Sequence, residues 1–239
     1  MAEETDPVTN GARDRLLGET SGFLVTMGMG MRIASERARD TQARAIAVCT
    51  QINGDLTGSQ RDLIANSNYY SAAALGRQVL ETTQLIEYFS SHPDRAEFWL
   101  TASDEELLRA NDFRPYALRA ATGASNDVYS RHCLMSGHPR SIAVLLLPGS
   151  RWRASTELID LTPAGYDIQA DLRALLLADC LQHIYDAVRA TVKVVDVKAF
   201  EAMGALEDRS VELTSKLVED LRNWHTNDPL ATVALKSEP

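Results

Sequence analysis

DIQADLRALLLADCLQHIYDAVRATVKVV, residues 167–195, is the stretch that decides how this chain folds. Its apolar residues recur at intervals of three and four, which is the spacing of one face of an α-helix. The residues on that face are Ile168, Leu172, Leu175, Leu176, Leu181, Ile184 and Val188. We therefore predict one long amphipathic helix whose apolar side packs against other helices.

Helical patterns fill most of the remaining chain. Three more long helices are predicted at 13–52, 59–91 and 197–225, with an NGD turn at 53–55 and Ser59 as an N-cap. Shorter helices are predicted at 94–101, 103–111, 114–122 and from Ser125 to the Gly137–Pro139 stop. Residues 140–166 break the helical rhythm and indicate a short hairpin or an irregular flap. The sequence thus predicts an all-α, up-and-down bundle of four long helices plus short ones.

We predict a single helical domain at 13–226, between a disordered lead at 1–12 and a flexible tail at 227–239. The net charge of -9 disfavours general adhesion to nucleic acid or to an anionic membrane. The longest purely apolar run, IAVLLL, is far shorter than the roughly 20 residues of a membrane-spanning helix. The three cysteines are far apart and lack CxxC spacing. These features predict a reduced, cytoplasmic protein without a membrane partner.

Glycines at 28 and 30 give MGMGMR, residues 27–32, a GxG pattern. The pattern follows no predicted strand and precedes no GK[ST], so it does not predict a phosphate-binding loop. We expect small residues here to allow close helix packing, with methionines filling the gaps.

One segment of this acidic chain lacks acids altogether. Residues 128–156 hold four arginines and two histidines but no Asp or Glu. The segment includes Arg140 and the triplet Arg151-Trp152-Arg153. Arginine binds phosphate with a two-pronged fork, and tryptophan stacks on bases. This combination predicts binding of a short single-stranded nucleic acid or a nucleotide.

The same segment contains a candidate catalytic pair, Arg131 and His138, and His132 beside the arginine is predicted to assist them in catalysis. A histidine with a pKa near neutral can take the proton of an RNA 2′-hydroxyl or protonate the leaving oxygen. An arginine can hold the phosphate and offset charge in the transition state. Such a site would cleave RNA without a metal, so we expect no cofactor. The alternative is that Tyr129 and His138 pin a helix corner while Arg131 is solvated.

Two features of this region resemble the HEPN superfamily of helical ribonucleases. That superfamily carries Arg, four to six residues and then His, often with a polar residue after the Arg, as in Arg131-His132-CLMSG-His138. The wider layout resembles abortive-infection-type bacterial helical proteins, with Arg77-x-x-x-Glu81 on a long helix and Tyr129 before His138-Pro139. The resemblance implies an RNA endonuclease, a toxin or phage-defence role, and a homodimer whose two Arg/His pairs face each other. In this reading Arg77, Glu81 and Tyr129 support the site.

Two other functions stay open. The chain would be a non-catalytic helical module if it bound a protein partner or a small ligand between its long helices. Arg77 and Glu81 would then form only an internal salt bridge. A metal is also conceivable at Asp179 and His183, which are one helical turn apart, with His132 or His138 as third ligand. The chain lacks the Glu-x-x-His motif of bundle di-metal sites, which disfavours a site of that kind.

Overall fold

The computed structural model of the chain describes residues 9–133, 146, 168–194, 208–228 and 230. Every regular element within those residues is helical, which confirms the predicted all-α class. The five long helices among them are α1 (Asn10–Ala38), α2 (Thr41–Ala65), α3 (Tyr69–Ser91), α8 (Ile168–Val194) and α9 (Asp208–Asn227). The short helices between α3 and α8 are α4 (Pro93–Thr101), α5 (Asp104–Arg109), α6 (Pro115–Thr122) and α7 (Asn126–His132), with a 3-10 turn at Asn111–Phe113.

Helices α1, α2, α3 and α8 form the bundle. Each packs against the next in that order, α8 closes the set against α1 and α2, and α9 lies against α8 and α1. The connections at 39–40 and 66–68 are so short that α1, α2 and α3 run antiparallel to one another. The largest fully buried side chains at the centre include Leu17, Leu24, Ile46, Phe89, Leu181 and Ile184.

Helix α8 buries most of its predicted apolar face. Leu176, Leu181, Ile184 and Val188 are all buried, and Leu172 packs partly against them. The prediction that Leu175 lies in the core is wrong, because its side chain is 46% exposed. Leu177 is fully buried instead. Two residues correspond to roughly 200° around an α-helix, so the two leucines point in nearly opposite directions.

The predicted helix at 13–52 is two helices, which is why the described residues contain five long helices rather than four. Arg39 takes a left-handed backbone conformation with φ of 56° and ends α1. The side chain of Asp40 then accepts a hydrogen bond from the backbone N–H of Ala43 and caps α2. An aspartate is a favoured N-cap, so this break was marked by Asp40 although no glycine or proline stands there.

The predicted NGD turn at 53–55 is also wrong, because α2 continues through it. Asn53 is fully buried and donates a hydrogen bond from Nδ2 to Thr83 Oγ1 on α3 at 3.1 Å. Gly54 lies against α1, where a Cβ atom would come within 2.7 Å of the backbone nitrogen of Val25. Ser59 is therefore inside α2 rather than an N-cap, and the break to α3 comes at 66–68.

Gly28 makes the matching close approach from α1. A Cβ atom there would lie 2.6 Å from the backbone nitrogen of Gln51 on α2. Met27 and Met31 are buried on either side of Gly28. The expected close packing of helices around MGMGMR is thereby confirmed.

Local capping sets the boundaries of two of the short helices. Ser103 and Glu106 form a reciprocal capping box at the start of α5, and Gly123 ends α6 with φ of 72°. Helix α1 begins at Asn10, within the predicted lead, and Asp228 is buried although it belongs to the predicted tail.

The predicted flap at 140–166 lies outside the described residues apart from Leu146, which is buried. Within the described part, no helix has both the length and the apolar character needed to cross a bilayer.

Candidate functional site

A polar network joins α3 to α7 at the place where the sequence predicted a site. Arg77 donates from Nε to Oε1 of Glu81 at 2.8 Å, which is the predicted i, i+4 salt bridge on α3. The hydroxyl of Tyr129 on α7 donates to the same oxygen at 2.9 Å. The side chains of Arg77 and Glu81 are 30% and 28% exposed, so the network lies at the surface of the bundle rather than in its core.

The ring of Tyr129 lies beside two guanidinium groups. The Cζ atom of Arg119, from α6, is 3.9 Å from the ring centroid, and that of Arg77 is 5.4 Å away. Arg119 is in turn held by a hydrogen bond from Nε to Oδ1 of Asn126 at the start of α7. Burial, together with the hydrogen bond to Glu81, raises the pKa of Tyr129 to about 12. The phenol therefore stays protonated at neutral pH and acts as a donor that positions α7.

A second cluster joins the end of α7 to α8. The Nε2 atoms of His132 and His183 are 2.7 Å apart. The carboxylate of Asp179 lies close to both: Oδ2 is 3.5 Å from Nε2 of His132, and Oδ1 is 3.4 Å from Nε2 of His183. The two imidazoles are buried, while the side chain of Asp179 is 33% exposed. The two Nε2 atoms and the carboxylate of Asp179 thus face one another.

The charge state of Asp179 follows from its neighbours. Burial alone would raise the pKa of its carboxyl group. The positive charges that His183 and His132 carry when protonated, and their hydrogen bonds, outweigh that effect and hold the pKa of Asp179 well below its usual range. The cluster therefore contains a fixed negative charge between two imidazoles.

Gly76 on α3 makes room for this cluster. A Cβ atom at that position would lie 3.1 Å from Cε1 and 3.2 Å from Nδ1 of His132. On the other ring, Nδ1 of His183 is buried and has no hydrogen-bond partner among the described residues. Buried polar atoms without a partner are uncommon, so this nitrogen departs from the usual pattern.

The structure brings only some of the sequence-predicted residues together. Arg77, Glu81 and Tyr129 are in contact, as described above. His132 is only 8% exposed and faces α8, so its imidazole lies inside the protein. The backbone of Arg131 lies in α7, and its side chain is not among the described groups. The other predicted site residues, which lie outside the described residues, are His138, Arg140, Arg151, Trp152 and Arg153.

Sequence reasoning missed two contributors to these clusters. Arg119 carried no signal, because an arginine on a short exposed helix is ordinary. Gly76 did carry one, since a glycine inside an apolar helical pattern often marks a close approach of another group. Asp179 and His183 were recognised as a pair, and the structure brings His132 to them, while the alternative third ligand, His138, lies outside the described residues.

Comparisons with known proteins add no relative to this description. A scan of family models finds no match to the chain, and neither the curated proteins nor the solved structures contain a significant match.

Proposed function

We propose that this chain is a metal-independent RNA endonuclease of the HEPN-like type, acting in the cytoplasm as a homodimer in a toxin or phage-defence role. The observation that supports the proposal is the contact of Tyr129 with Glu81 and Arg77. These are three residues of the Arg-x-x-x-Glu and Tyr…His-Pro layout, and 48 positions separate Tyr129 from Glu81. Their contact holds the helix that carries Arg131 against α3.

The proposed chemistry uses the 2′-hydroxyl of RNA as an internal nucleophile. His138 would remove its proton or protonate the leaving oxygen, a role that contributes roughly 10²–10⁴-fold to a rate. Arg131 would hold the phosphate and offset the charge of the transition state. Arg140, Arg151, Trp152 and Arg153 would bind the RNA strand through charge and stacking.

His132 takes a different part in this proposal from the one expected at first. Its imidazole is buried against His183, so it is placed to position rather than to touch RNA. By fixing the end of α7 to α8 it would orient its neighbour Arg131. We therefore treat His132 as a positioning residue.

Cleavage of mixed cellular RNA in the presence of EDTA tests the proposal. The wild type is compared with Arg131→Ala and His138→Ala, each checked for folding by circular dichroism. Arg37→Ala, at an exposed position on α1, and His92→Ala, at the end of α3, are the matched controls. We expect 2′,3′-cyclic phosphate ends from the wild type and both controls, and a loss of at least about 100-fold in the two site variants. A folded wild type that leaves RNA intact both with and without EDTA would overturn the proposal.

A second candidate function is a non-catalytic binding module, favoured by a cleft between α3, α8 and α9. The cleft has a volume of about 430 Å³. Its lining includes Glu87, Tyr185, Asp186, Arg189, Leu221 and Arg222. The mixture of acids, arginines and apolar side chains suits a small polar ligand or a peptide. In this case His138→Ala would lower the melting temperature and would remove no enzymatic activity.

A further inference from the structure

We propose that His132, Asp179 and His183 bind one divalent transition-metal ion of the Zn²⁺ class, linking α7 to α8. The proposal goes beyond RNA cleavage and does not depend on it. It stands on three potential donor atoms, from two helices, that face one another. Two imidazole nitrogens and one carboxylate oxygen are a donor set that Zn²⁺ and its neighbours in the first transition row favour.

The distances between these donors fit a shared ion. Donor atoms about 2.0–2.1 Å from one metal lie roughly 3.4 Å apart in a tetrahedral site and roughly 3.0 Å apart as cis ligands of an octahedral one. His132 Nε2 lies 3.5 Å from Oδ2 of Asp179, and His183 Nε2 lies 3.4 Å from Oδ1, so each nitrogen is near the tetrahedral spacing from one of the two carboxylate oxygens. The distance of 2.7 Å between His132 Nε2 and His183 Nε2 is shorter and would open slightly around an ion.

The chemistry of the facing atoms also suits a cation. Nε2 of His132 and Nε2 of His183 each lie within about 3.5 Å of an oxygen of the Asp179 carboxylate. A cation would satisfy both nitrogen lone pairs and the carboxylate together. The distance of 2.7 Å between the two Nε2 atoms is that of a hydrogen bond between the rings.

Three protein donors leave at least one coordination position for another ligand. Asp179 is the exposed edge of the cluster, with 33% of its side chain accessible, so an ion can enter from that side. Helix α3 lies close to the ring of His132, where a Cβ atom at Gly76 would come within 3.1 Å.

The test measures metal binding by the full chain, first stripped with a chelator and then dialysed. Calorimetric titration with Zn²⁺ and with Mg²⁺ separates a nitrogen-containing site from general attraction to acids, because Mg²⁺ prefers oxygen donors. Elemental analysis gives the stoichiometry, and Co²⁺ reports protein ligands through visible absorption that Zn²⁺ abolishes. We expect one Zn²⁺ per chain, a higher melting temperature with Zn²⁺, and no response to Mg²⁺.

Variants assign the binding to the cluster. We expect Asp179→Asn, His183→Gln and His132→Gln each to weaken Zn²⁺ binding by more than the roughly 10–100-fold that loss of an outer-shell partner costs. The matched controls are Asp186→Asn, a half-buried carboxylate further along α8, and His92→Gln. Gly76→Ala keeps all three donors and places a Cβ atom 3.1 Å from the ring of His132, so it should shift that ring and weaken binding. The assignment is overturned if the folded wild type binds no Zn²⁺, if it binds Co²⁺ without the visible absorption that protein ligands give, or if folded donor variants bind Zn²⁺ as tightly as the wild type.

Discussion

Arg13 and Asp228 form a two-pronged ion pair that ties the first helix to the end of the last one. Nε of Arg13 donates to Oδ2 of Asp228 at 2.7 Å, and Nη2 donates to Oδ1 at 2.8 Å. The carboxylate also accepts hydrogen bonds from Nε1 of Trp224 and from the backbone N–H of Leu230. The charged side chains of the pair are 6% and 0% exposed. Every oxygen of this buried carboxylate is thus satisfied.

Removing the charge of Asp228 should destabilise the fold strongly. Asp228→Asn leaves the buried guanidinium of Arg13 without its counter-charge, and breaking such a pair costs about 3–5 kcal/mol. Urea unfolding followed by circular dichroism measures the change in free energy of unfolding. The control is Glu19→Gln, which breaks the exposed Arg15–Glu19 pair and should cost at most about 1 kcal/mol. Equal losses from the two variants would contradict the assigned role of burial.

Because of the same ion pair, we expect the free energy of unfolding to depend on pH. Burial alone would raise the pKa of Asp228, but its hydrogen bond to Arg13 and its other partners outweigh burial and lower the pKa. A lowered pKa in the folded state means that the stabilisation is complete above the unfolded value of about 3.9 and is lost as the pH falls through the folded value. The difference in unfolding free energy between wild type and Asp228→Asn should therefore shrink below about pH 4. A difference that stays constant down to pH 2 would refute this explanation.

Two glycines on neighbouring helices should respond in opposite ways to a methyl group. A Cβ atom at Gly54 would press on the backbone of α1, so Gly54→Ala should cost about 1–3 kcal/mol. Gly22 is exposed on α1 with no atom within 4 Å of an added Cβ, so Gly22→Ala should stabilise the protein by about 0.5–1 kcal/mol. Thermal unfolding of both variants tests this pair. Loss of stability in Gly22→Ala would mean that helix propensity is not what governs this position.

The hydrogen bond from Tyr129 to Glu81 gives a way to separate stability from activity. Tyr129→Phe keeps the ring between Arg77 and Arg119 and removes only the hydroxyl. Loss of a hydrogen bond to a charged group costs about 1.5–3 kcal/mol, less where water reaches the carboxylate. If the network positions Arg131, Tyr129→Phe should lower the rate of RNA cleavage at a temperature where the variant is still fully folded. The loss of activity is then separate from the loss of unfolding free energy. The control is Tyr116→Phe on α6, whose side chain is 61% exposed.

Much of the helical architecture could be predicted because helices depend on neighbours a few residues away. The start of a helix at Ser103, the end of a helix before Gly123 and the apolar face of α8 all follow from local patterns, and the sequence predicted each of them. The break at Asp40 was equally local and was overlooked. The Arg77–Glu81 pair was also within reach, since residues at i and i+4 lie on one helix face.

By itself the sequence determined the all-α class, most helix ends and the Arg77–Glu81 pair, because backbone hydrogen bonds and apolar periodicity act over one or two turns. Only the tertiary structure decided that α2 continues through Asn53 and Gly54. There a buried bond to Thr83 and close contact with α1 outweigh the local preference for a turn. The tertiary structure also brings His132 into contact with His183, 51 residues away. Which distant side chains meet depends on how whole helices pack, and no local pattern contains that information.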